Sequence, residues 1–364
     1  MMKILLVSLH HVEYTAELAR ALSHNHNLQL VLSMPRVAQT INKDLDRLGD
    51  GASYTLLEKY SGKNPKILHN FIVILKLLNR FRPDIIHIQE SSDLSNLAFI
   101  MWAAAPLVVT VHDVNPHLGS NKGRHLMRGL HKFARRYIYG KIIVHGERLK
   151  NELMKGTGRS LHSVFTIPHG CLFSFDSACP NTTEEEEHSI LFFGRIQEYK
   201  GLRYLIKATP LVAEKIPDFK VIIAGTGKDL AEHRNLLKGN PHFEVHDHFI
   251  PNAEVHRFFR RCSFVVLPYI EASQSGVVAM AFVFGKPVVA TDVGSLGEMI
   301  EDGKSGILVP PCDVKKLADA IIYLLQCKDI RKKMGVEALK AAKSTFSWNR
   351  IARLTEQVYE KARK

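Results

Sequence analysis

Residues 265–311 read VVLPYIEASQSGVVAMAFVFGKPVVATDVGSLGEMIEDGKSGILVPP, and this stretch decides the fold. It contains three short apolar runs, VVLPY, KPVVAT and GILVP, separated by a helix-length segment and a glycine-rich segment. Continuous apolar runs of this length are typical of parallel strands that are buried on both faces. The stretch therefore predicts part of a doubly wound α/β sheet.

The same alternation of apolar runs and helix-length segments extends through the chain. KILLVSL, LQLVLS, DIIHIQ, LVVTVHD and KIIVHG occur in the first half, and SILFFGR, FKVIIAGTG and FEVHD open the second. Because 364 residues exceed what one hydrophobic core usually serves, we expect two α/β domains. We assign residues 1–170 and 189–345 to them, 171–188 to a linker, and 346–364 to a helix that packs back towards the N-terminal domain.

An acidic residue and a polar turn follow the run VVLPY. Glu271 lies on this loop, and the sequence SQSG at 273–276 then opens a helix. The backbone N–H groups of Ser275, Gly276 and Val277 would lie at the helix N-terminus, where the helix dipole favours phosphate, and Glu271 could accept hydrogen bonds from sugar hydroxyls. The same residues also fit an N-capping serine and a surface glutamate.

Two cations follow the first strand of the second half. The sequence ILFFGRIQEYKG places Gly194 and Arg195 at the strand end and Lys200 just before a helix. Ligands of doubly wound sheets bind outside the carboxyl ends of the strands, so these cations suit a diphosphate, although a solvated turn also fits. Gly225 and Gly227 in AGTG allow close approach of the backbone to a ligand, or equally to a packed helix.

Taken together, these segments resemble the family 4 glycosyltransferases. GR, KG, AGTG, the segment with Glu271, GKPVVATDVG, DG and GILVPP occur in that family's order over nearly the full chain. The resemblance implies a GT-B fold, in which two Rossmann-like doubly wound domains face a central cleft. It also implies a retaining, metal-independent hexosyltransferase-like enzyme without a cofactor. Such an enzyme would use a nucleotide-diphosphate sugar and a saccharide or lipid-linked acceptor, in cell-surface polysaccharide or glycolipid synthesis.

The resemblance also implies roles for individual residues. The expected catalytic contacts are His112, Arg195, Lys200 and Glu271. Arg195 and Lys200 would bind the donor diphosphate, Glu271 the transferred sugar, and Glu298 would lie in the donor-side pocket. The family usually has a second glutamate, which binds the ribose, eight residues after the first. This chain has Ala279 there, and Met280 fits no better.

Four residues of the first domain are expected on the acceptor side, namely His10, His11, His112 and Asp113. In the family, His112 of VVTVHD would lie near the transferred sugar, whereas a histidine after a buried strand is also often a hydrogen-bonded structural residue. His10 and His11 replace a glycine-rich first loop, so their bulk would narrow the approach to the donor phosphates.

We expect no metal site. His246 and His248 share one face of a strand next to Asp247, but no third ligand of suitable spacing is evident. The five cysteines are scattered without paired spacing, which argues against a disulfide framework or a zinc site.

The net charge of +13 is concentrated in residues 1–170, which hold 22 Lys and Arg against 12 Asp and Glu. Residues 122–141 mix cations with Leu126, Leu130, Phe133 and Ile138 at near-helical spacing. The segment fits a helix on an anionic membrane surface, and equally a core-packed helix with a solvated basic face. Nucleic-acid binding is not expected, because no recognised motif is present.

The N-terminal residues enter an apolar strand-like run at once and lack the zones of a signal peptide, and no apolar run is long enough for a membrane span. We therefore expect a cytoplasmic protein. If residues 122–141 bind an anionic membrane surface, the protein would be peripheral on the inner face of the cytoplasmic membrane. Two other functions share the motifs: a GT-B epimerase or hydrolase of nucleotide sugars, and a non-catalytic relative that binds a nucleotide sugar or an anionic lipid. The motifs do not fix the nucleotide base, the sugar or the acceptor.

Overall fold

The computed structural model describes residues 1–34, 52–58, 60, 64, 66–91, 93, 95–102, 104–115, 125–171 and 184–364. By internal contacts the chain divides into two compact units. The first comprises Met1–Val114, Gly123–Leu172 and Trp348–Lys364, and the second Asn115–Lys122 and Phe173–Ser347. Most of the predicted linker, residues 172–183, and the start of the basic segment, residues 122–124, lie outside the described residues.

The first unit contains a seven-stranded parallel sheet in the order β3-β2-β1-β4-β5-β6-β7. Its strands are Lys3–Ser8 (β1), Asn27–Ser33 (β2), Ser53–Leu57 (β3), Ile85–Gln89 (β4), Leu107–Thr110 (β5), Lys141–Val144 (β6) and Val164–Thr166 (β7). Its helices are Val12–Ser23 (α1), Ile67–Phe81 (α2), Asn96–Trp102 (α3), His125–Tyr137 (α4), Glu147–Thr157 (α5) and the C-terminal Trp348–Arg363, here named α12.

The apolar runs form the buried strands of this sheet. Ile4, Leu5, Leu6 and Val7 of β1 are fully buried, with α1 and α12 on one face and α2 to α5 on the other. A strand covered on both faces must be apolar at successive positions, which is why the sequence shows no alternation there.

The C-terminal helix α12 is part of the first unit although it follows the second unit in sequence. The indole Nε1 of Trp348 donates a hydrogen bond to the Cys171 carbonyl at 2.6 Å. Tyr359 is fully buried against α1, and its hydroxyl lies 2.7 Å from Nδ1 of His87 in β4. Apolar burial and these polar contacts together hold the helix on the first sheet.

The second unit contains a six-stranded parallel sheet in the order β10-β9-β8-β11-β12-β13. Its strands are Ser189–Phe193 (β8), Lys220–Ala224 (β9), Phe243–His246 (β10), Phe264–Leu267 (β11), Val288–Thr291 (β12) and Gly306–Val309 (β13). Its helices are Leu202–Ala213 (α6), Lys228–Leu237 (α7), Asn252–Arg261 (α8), Gly276–Val283 (α9), Val314–Gln326 (α10) and Lys328–Ser344 (α11).

Two parallel, doubly wound Rossmann-like sheets are present, so the predicted GT-B fold class is confirmed. In both units the chain first adds strands on one side of the opening strand and then reverses to the other side. The reversal lies between β1 and β4 in the first unit and between β8 and β11 in the second. A crevice forms at such a point outside the carboxyl ends of the strands, and this is where ligands of open α/β sheets bind.

The glutamate run at 184–187, which we assigned to the linker, makes ion pairs with the second unit. Glu185 pairs with Lys286 at 2.5 Å, Glu186 with Arg261 at 2.7 Å, and Glu187 with Lys328 at 2.6 Å. These partners lie in the turn before β12, in α8 and in α11, respectively. No helix within the described ranges is both long and apolar enough to cross a membrane.

Gly335→Ala should destabilise the second unit, because an added Cβ would lie 2.3 Å from the Gly285 carbonyl oxygen and force the backbone to move. We expect a loss of about 1–3 kcal/mol in the free energy of unfolding, measured by urea denaturation. Gly156→Ala in α5 is the matched control. Nothing lies within 4 Å of its added Cβ, so the better helix former should leave stability unchanged or raise it by about 0.5 kcal/mol. Equal losses in the two variants would contradict the packing described here.

Candidate functional site

The loops that follow β8 and β11 lie side by side at the strand-order reversal of the second unit. The first loop ends in a single 3-10 turn, Glu198–Lys200, and Gly201 follows in a left-handed conformation at φ +68°. A Cβ at Gly201 would lie 2.0 Å from the Pro268 carbonyl oxygen of the second loop. The Ile270 amide also donates to the Tyr199 carbonyl at 2.7 Å. Only glycine permits this approach, and it fixes the two loops against each other.

The glycines of AGTG serve the packing of the loop after β9. A Cβ at Gly225 would lie 2.0 Å from the Gly194 carbonyl oxygen, and one at Gly227 would lie 1.8 Å from the Ile196 carbonyl oxygen. The Gly225 amide donates to the His246 carbonyl at 3.1 Å. These contacts are the close packing that the sequence also allowed for these glycines. Contact of Gly225 and Gly227 with a donor stays a prediction.

Lys200 is buried, with 7% of its surface exposed, whereas Arg195 is exposed on the same loop. The Lys200 ammonium lies 5.4 Å from the centre of the Tyr269 ring. Burial lowers the Lys200 pKa, and the positive charge of Arg195 lowers it further. The two side chains are therefore close enough to interact electrostatically. Among the described residues, no carboxylate oxygen lies within 4.0 Å of the ammonium nitrogen. The site therefore presents a buried cation and an exposed one without a protein anion between them.

The N-terminus of α9 lies beside these cations. A Cβ at Gly194 would lie 3.1 Å from the Lys200 ammonium and 3.9 Å from a methyl group of Val277 in the first turn of α9. Ser275 is the N-cap, and its hydroxyl accepts a hydrogen bond from the Val277 amide at 3.3 Å. The prediction of an unpaired Val277 amide is therefore wrong, because the capping serine occupies it. Ser275 and Gly276 remain the predicted phosphate-binding amides.

The remaining donor-side candidates lie on loops of the same unit. Glu271 is partly buried on the loop after β11, and Glu298 is exposed in a 3-10 turn, Gly297–Met299. Ala279 is fully buried within α9, and Met280 is nearly so. Neither side chain carries a polar group, so α9 offers no carboxylate at the position where the family usually binds the ribose.

In the first unit, a cluster of histidines lies at the carboxyl edge of the sheet. His112, His145 and His169 follow β5, β6 and β7, and all three are at least 95% buried. Nδ1 of His112 lies 3.1 Å from Nε2 of His145, and Nε2 of His112 lies 2.8 Å from Oε1 of Gln89. His11 stacks on the His112 ring with 3.7 Å between ring centres.

In this structure both ring nitrogens of His112 contact protein groups and one ring face is covered. These contacts fit the hydrogen-bonded structural role, and contact of His112 with the transferred sugar stays a prediction. Burial lowers the pKa of His112 and of His169 well below the usual range, and it lowers the pKa of His145 to about 4. His10 and Asp113 are exposed at the same edge, and His11 is partly exposed. The sequence reasoning missed His145 and His169. The signal for His145 was its position at the end of the predicted strand KIIVHG.

The predicted pair His246 and His248 is arranged differently. The ring of His246 contacts Glu244 at 2.6 Å, and Asp247 binds Thr226 and Arg234. The two imidazole centres are 6.2 Å apart. Each of these acidic groups already has another partner, so the three predicted residues do not converge on one point.

The α4 helix has features of both structures predicted for the basic segment, a helix on a membrane surface and a helix packed on the core. Arg135 turns inward, where its Nε binds Glu90 at 3.0 Å and its other nitrogens donate to the carbonyls of Val114 and Asp113. Leu130, Phe133 and Tyr137 lie on the outer face, and 42%, 55% and 64% of their surfaces are exposed. The core-packed face of α4 is therefore partly basic and its solvent face partly apolar, which is the reverse of an ordinary surface helix.

Lys200→Met should stabilise the protein in the absence of ligand. The substitution keeps a chain of similar length and removes the free-energy cost of burying an ammonium without an anion, so we expect a gain of about 1 kcal/mol in the free energy of unfolding. Lys207→Met, at an exposed position of α6, is the control and should change stability by less than about 0.5 kcal/mol. A destabilised Lys200→Met protein in urea denaturation would show that the ammonium is stabilised by groups of the protein itself.

Comparison with known proteins gives consistent matches over both units. The family model described as Glycosyltransferase Family 4 matches residues 12–171, and the model described as Glycosyl transferases group 1 matches residues 187–327. An uncharacterised glycosyltransferase of Methanocaldococcus jannaschii is 32% identical over 180 residues, which cover 49% of this chain and 46% of the relative. A D-inositol 3-phosphate glycosyltransferase of Paenarthrobacter aurescens is 30% identical over 234 residues, covering 58% and 55%. The chain spans about half the length of these curated relatives.

Solved structures share the fold over the full chain. A glycosyltransferase from Rickettsia africae is 20% identical, with a TM-score of 0.75 and coverage of 100% of this chain and 99% of that one. The Anabaena protein HepE, solved in complex with UDP-glucose, is 16% identical, with a TM-score of 0.77 and coverage of 99% and 100%. The two family models match in tandem along one GT-B chain, and the protein therefore belongs to the family 4 glycosyltransferases.

Proposed function

We propose that this protein transfers a sugar from a nucleotide-diphosphate donor to a saccharide or lipid-linked acceptor, with retention of anomeric configuration and without a metal at the diphosphate. We place the reaction in cell-surface polysaccharide or glycolipid synthesis. The observation that carries the proposal is the buried ammonium of Lys200 beside Arg195 and the N-terminus of α9. Two fixed cations and helix amides supply the positive charge that a divalent ion gives to diphosphates elsewhere.

The chemical step is cleavage of the bond between the anomeric carbon and the diphosphate oxygen. Negative charge grows on that oxygen as the bond breaks, and the positive charges at Lys200 and Arg195 would stabilise it. A buried ammonium acts in a medium of low polarity and needs no reorganisation, so its effect is larger than in water. An acceptor hydroxyl then attacks the anomeric carbon from the face that the phosphate leaves, and its proton passes to the phosphate oxygen. Glu271 would hold the hydroxyls of the transferred sugar.

The nucleotide is expected to be bound mainly through its diphosphate. The family's usual ribose contact is missing, because Ala279 is buried inside α9 and carries no carboxylate. A UDP-sugar is the first donor to test, since the Anabaena relative of the same fold was solved with UDP-glucose. A thermal-shift panel of nucleotide sugars identifies the base, because a bound donor raises the melting temperature by mass action.

Arg195→Ala should lower the initial rate of sugar transfer by on the order of a hundredfold or more, because it removes one cation from the developing charge. The rate is measured as nucleoside diphosphate release and as glycosylated product by mass spectrometry. Arg257→Ala, at an exposed position of α8, is the control and should retain the parent rate. If the Arg195 variant, with its fold checked by circular dichroism, turned over like the parent, the assignment of the diphosphate site would fail.

The same assay separates the alternative functions. An epimerase or hydrolase of nucleotide sugars forms product when the acceptor is omitted, whereas a transferase does not. A non-catalytic binder gives a thermal shift with the donor and no turnover under either condition. Anomeric analysis of the product by nuclear magnetic resonance tests retention, and omission of added divalent ions tests metal independence of the transfer.

We further propose that α4 places the protein on an anionic membrane surface, where a lipid-linked acceptor would be found. Its outer face carries the exposed rings of Phe133 and Tyr137 next to Lys132 and Arg136. Aromatic side chains enter the boundary between headgroups and acyl chains, and each cation near an anionic surface adds about 1 kcal/mol. Because Arg135 holds the inner face through Glu90, the outer face is presented without unfolding of the helix.

A Phe133→Ser/Tyr137→Ser variant should bind vesicles containing phosphatidylglycerol about tenfold more weakly than the parent, since it loses the apolar area that enters the lipid. Co-sedimentation measures the binding. Tyr323→Ser on α10, where the side chain is 43% exposed, is the matched control for loss of an exposed aromatic residue. Equal binding by all three proteins, or parent binding that does not depend on the anionic lipid, would contradict the proposal.

A further inference from the structure

The three buried histidines at the carboxyl edge of the first sheet form the geometry of a metal site. One ring nitrogen from each of the three histidines lies within 4.8 Å of the other two. For His112 and His145, the facing atoms Nδ1 and Nε2 are 3.1 Å apart. They come from the ends of three neighbouring strands, so the sheet itself brings them together. In a tetrahedral zinc site with bonds of about 2.0–2.1 Å, ligand nitrogens are roughly 3.3 Å apart.

Each of the three rings also has its other nitrogen beside an oxygen acceptor. Nε2 of His112 lies 2.8 Å from Oε1 of Gln89, Nδ1 of His145 lies 3.0 Å from the Ile167 carbonyl oxygen, and Nδ1 of His169 lies 2.8 Å from the Gly170 carbonyl oxygen. Metal-ligating histidines almost always donate this second N–H to a carbonyl or carboxylate oxygen, which fixes the tautomer and the ring orientation. All three rings meet this criterion.

The number of N–H protons on the rings of His112 and His145 favours a metal ion between them. A neutral imidazole carries one N–H, and in His112 and His145 that N–H points to an oxygen acceptor. The two nitrogens that face each other at 3.1 Å would then both present lone pairs. An additional proton would relieve their repulsion but would leave a buried imidazolium, which burial disfavours. A metal ion accepts both lone pairs and that of His169 at once.

We propose that His112, His145 and His169 bind a divalent transition metal, with zinc as the closest chemical match. Three neutral imidazoles suit Zn²⁺, and a water molecule would be the fourth ligand of a tetrahedral site. The metal would tie together the ends of β5, β6 and β7. The pair His112 and His145 already has the spacing of two ligands, and the widest pair closes by roughly 1.5 Å on binding. All three proposed ligands belong to the first unit.

This proposal departs from our expectation that the chain binds no metal. That expectation examined His246 and His248, which are neighbours in sequence, whereas the present ligands are separated by 33 and 24 residues and become neighbours only in the folded sheet. The competing explanation is a metal-free hydrogen-bond network. In it the Gln89 amide is reversed, its nitrogen donates to His112, and His112 donates to His145.

The test uses purified protein from which metal has been removed by dialysis against a chelator, followed by titration with Co²⁺. We expect one equivalent to bind per chain, with the visible absorption spectrum of four-coordinate cobalt. We also expect the melting temperature to rise by about 5–10 °C when Zn²⁺ is about a hundredfold above its dissociation constant. Neither readout depends on sugar transfer, so failure here leaves the proposed enzymatic function untouched.

Two variants assign the site. His169→Gln should lose the cobalt spectrum and the thermal shift, while a His246→Gln/His248→Gln protein should keep both, because it removes only a pair of histidines in the second unit. X-ray absorption of the zinc-loaded parent should show three imidazole nitrogens at about 2.0–2.1 Å, and this measurement stands even if the His169 variant does not fold. A parent that binds no cobalt, or one whose spectrum is lost only in the His246/His248 protein, would overturn the proposal in favour of the metal-free network.

Discussion

The burial of one ammonium group governs the chemistry of the second unit. Lys200 is held in the interior because Gly201 adopts a left-handed conformation against the Pro268 carbonyl, which brings the loop after β8 onto the loop after β11. A charge in that position costs free energy, and an anion from outside recovers it. The fold therefore holds a buried positive charge at the end of β8, and the exposed Arg195 adds a second charge from the same loop.

The first unit also has a doubly wound parallel sheet, but it carries different side chains at the ends of its strands. Its parallel strands also end at one edge, but their ends carry histidines in place of cations. Burial favours the neutral form of these rings, and hydrogen bonds through Gln89 link His87, His112 and His145. Neutral ring nitrogens are suited to metal ions, whereas fixed cations are suited to anions. The two units thus present complementary kinds of site.

The ion pair between Arg135 and Glu90 determines which face of α4 packs against the first unit. Its guanidinium lies in a bidentate pair with Glu90 and also donates to two carbonyls, so a cation takes the inward position that an apolar residue would normally occupy. Leu130, Phe133 and Tyr137 of α4 lie on the outer face. The side-chain hydrogen bond of His131 and the charge of Arg135 outweigh burial and lower the Glu90 pKa, so the carboxylate stays ionised at neutral pH.

Local patterns in the sequence determined the two parallel sheets, the placement of Arg195 and Lys200 at a strand end, and the helix that begins after SQSG. Each of these depends on residues within one strand and the helix next to it, which hydrophobic periodicity and turn chemistry encode directly. The tertiary structure decided which polar groups face protein and which face a ligand. The contact of Gly225 with Gly194, the capture of the Val277 amide by Ser275, and the meeting of His112, His145 and His169 all join segments through strand order or loop packing. Strand order arises from long-range burial that no short window of sequence contains, and for this reason the histidine cluster became visible only in the folded chain.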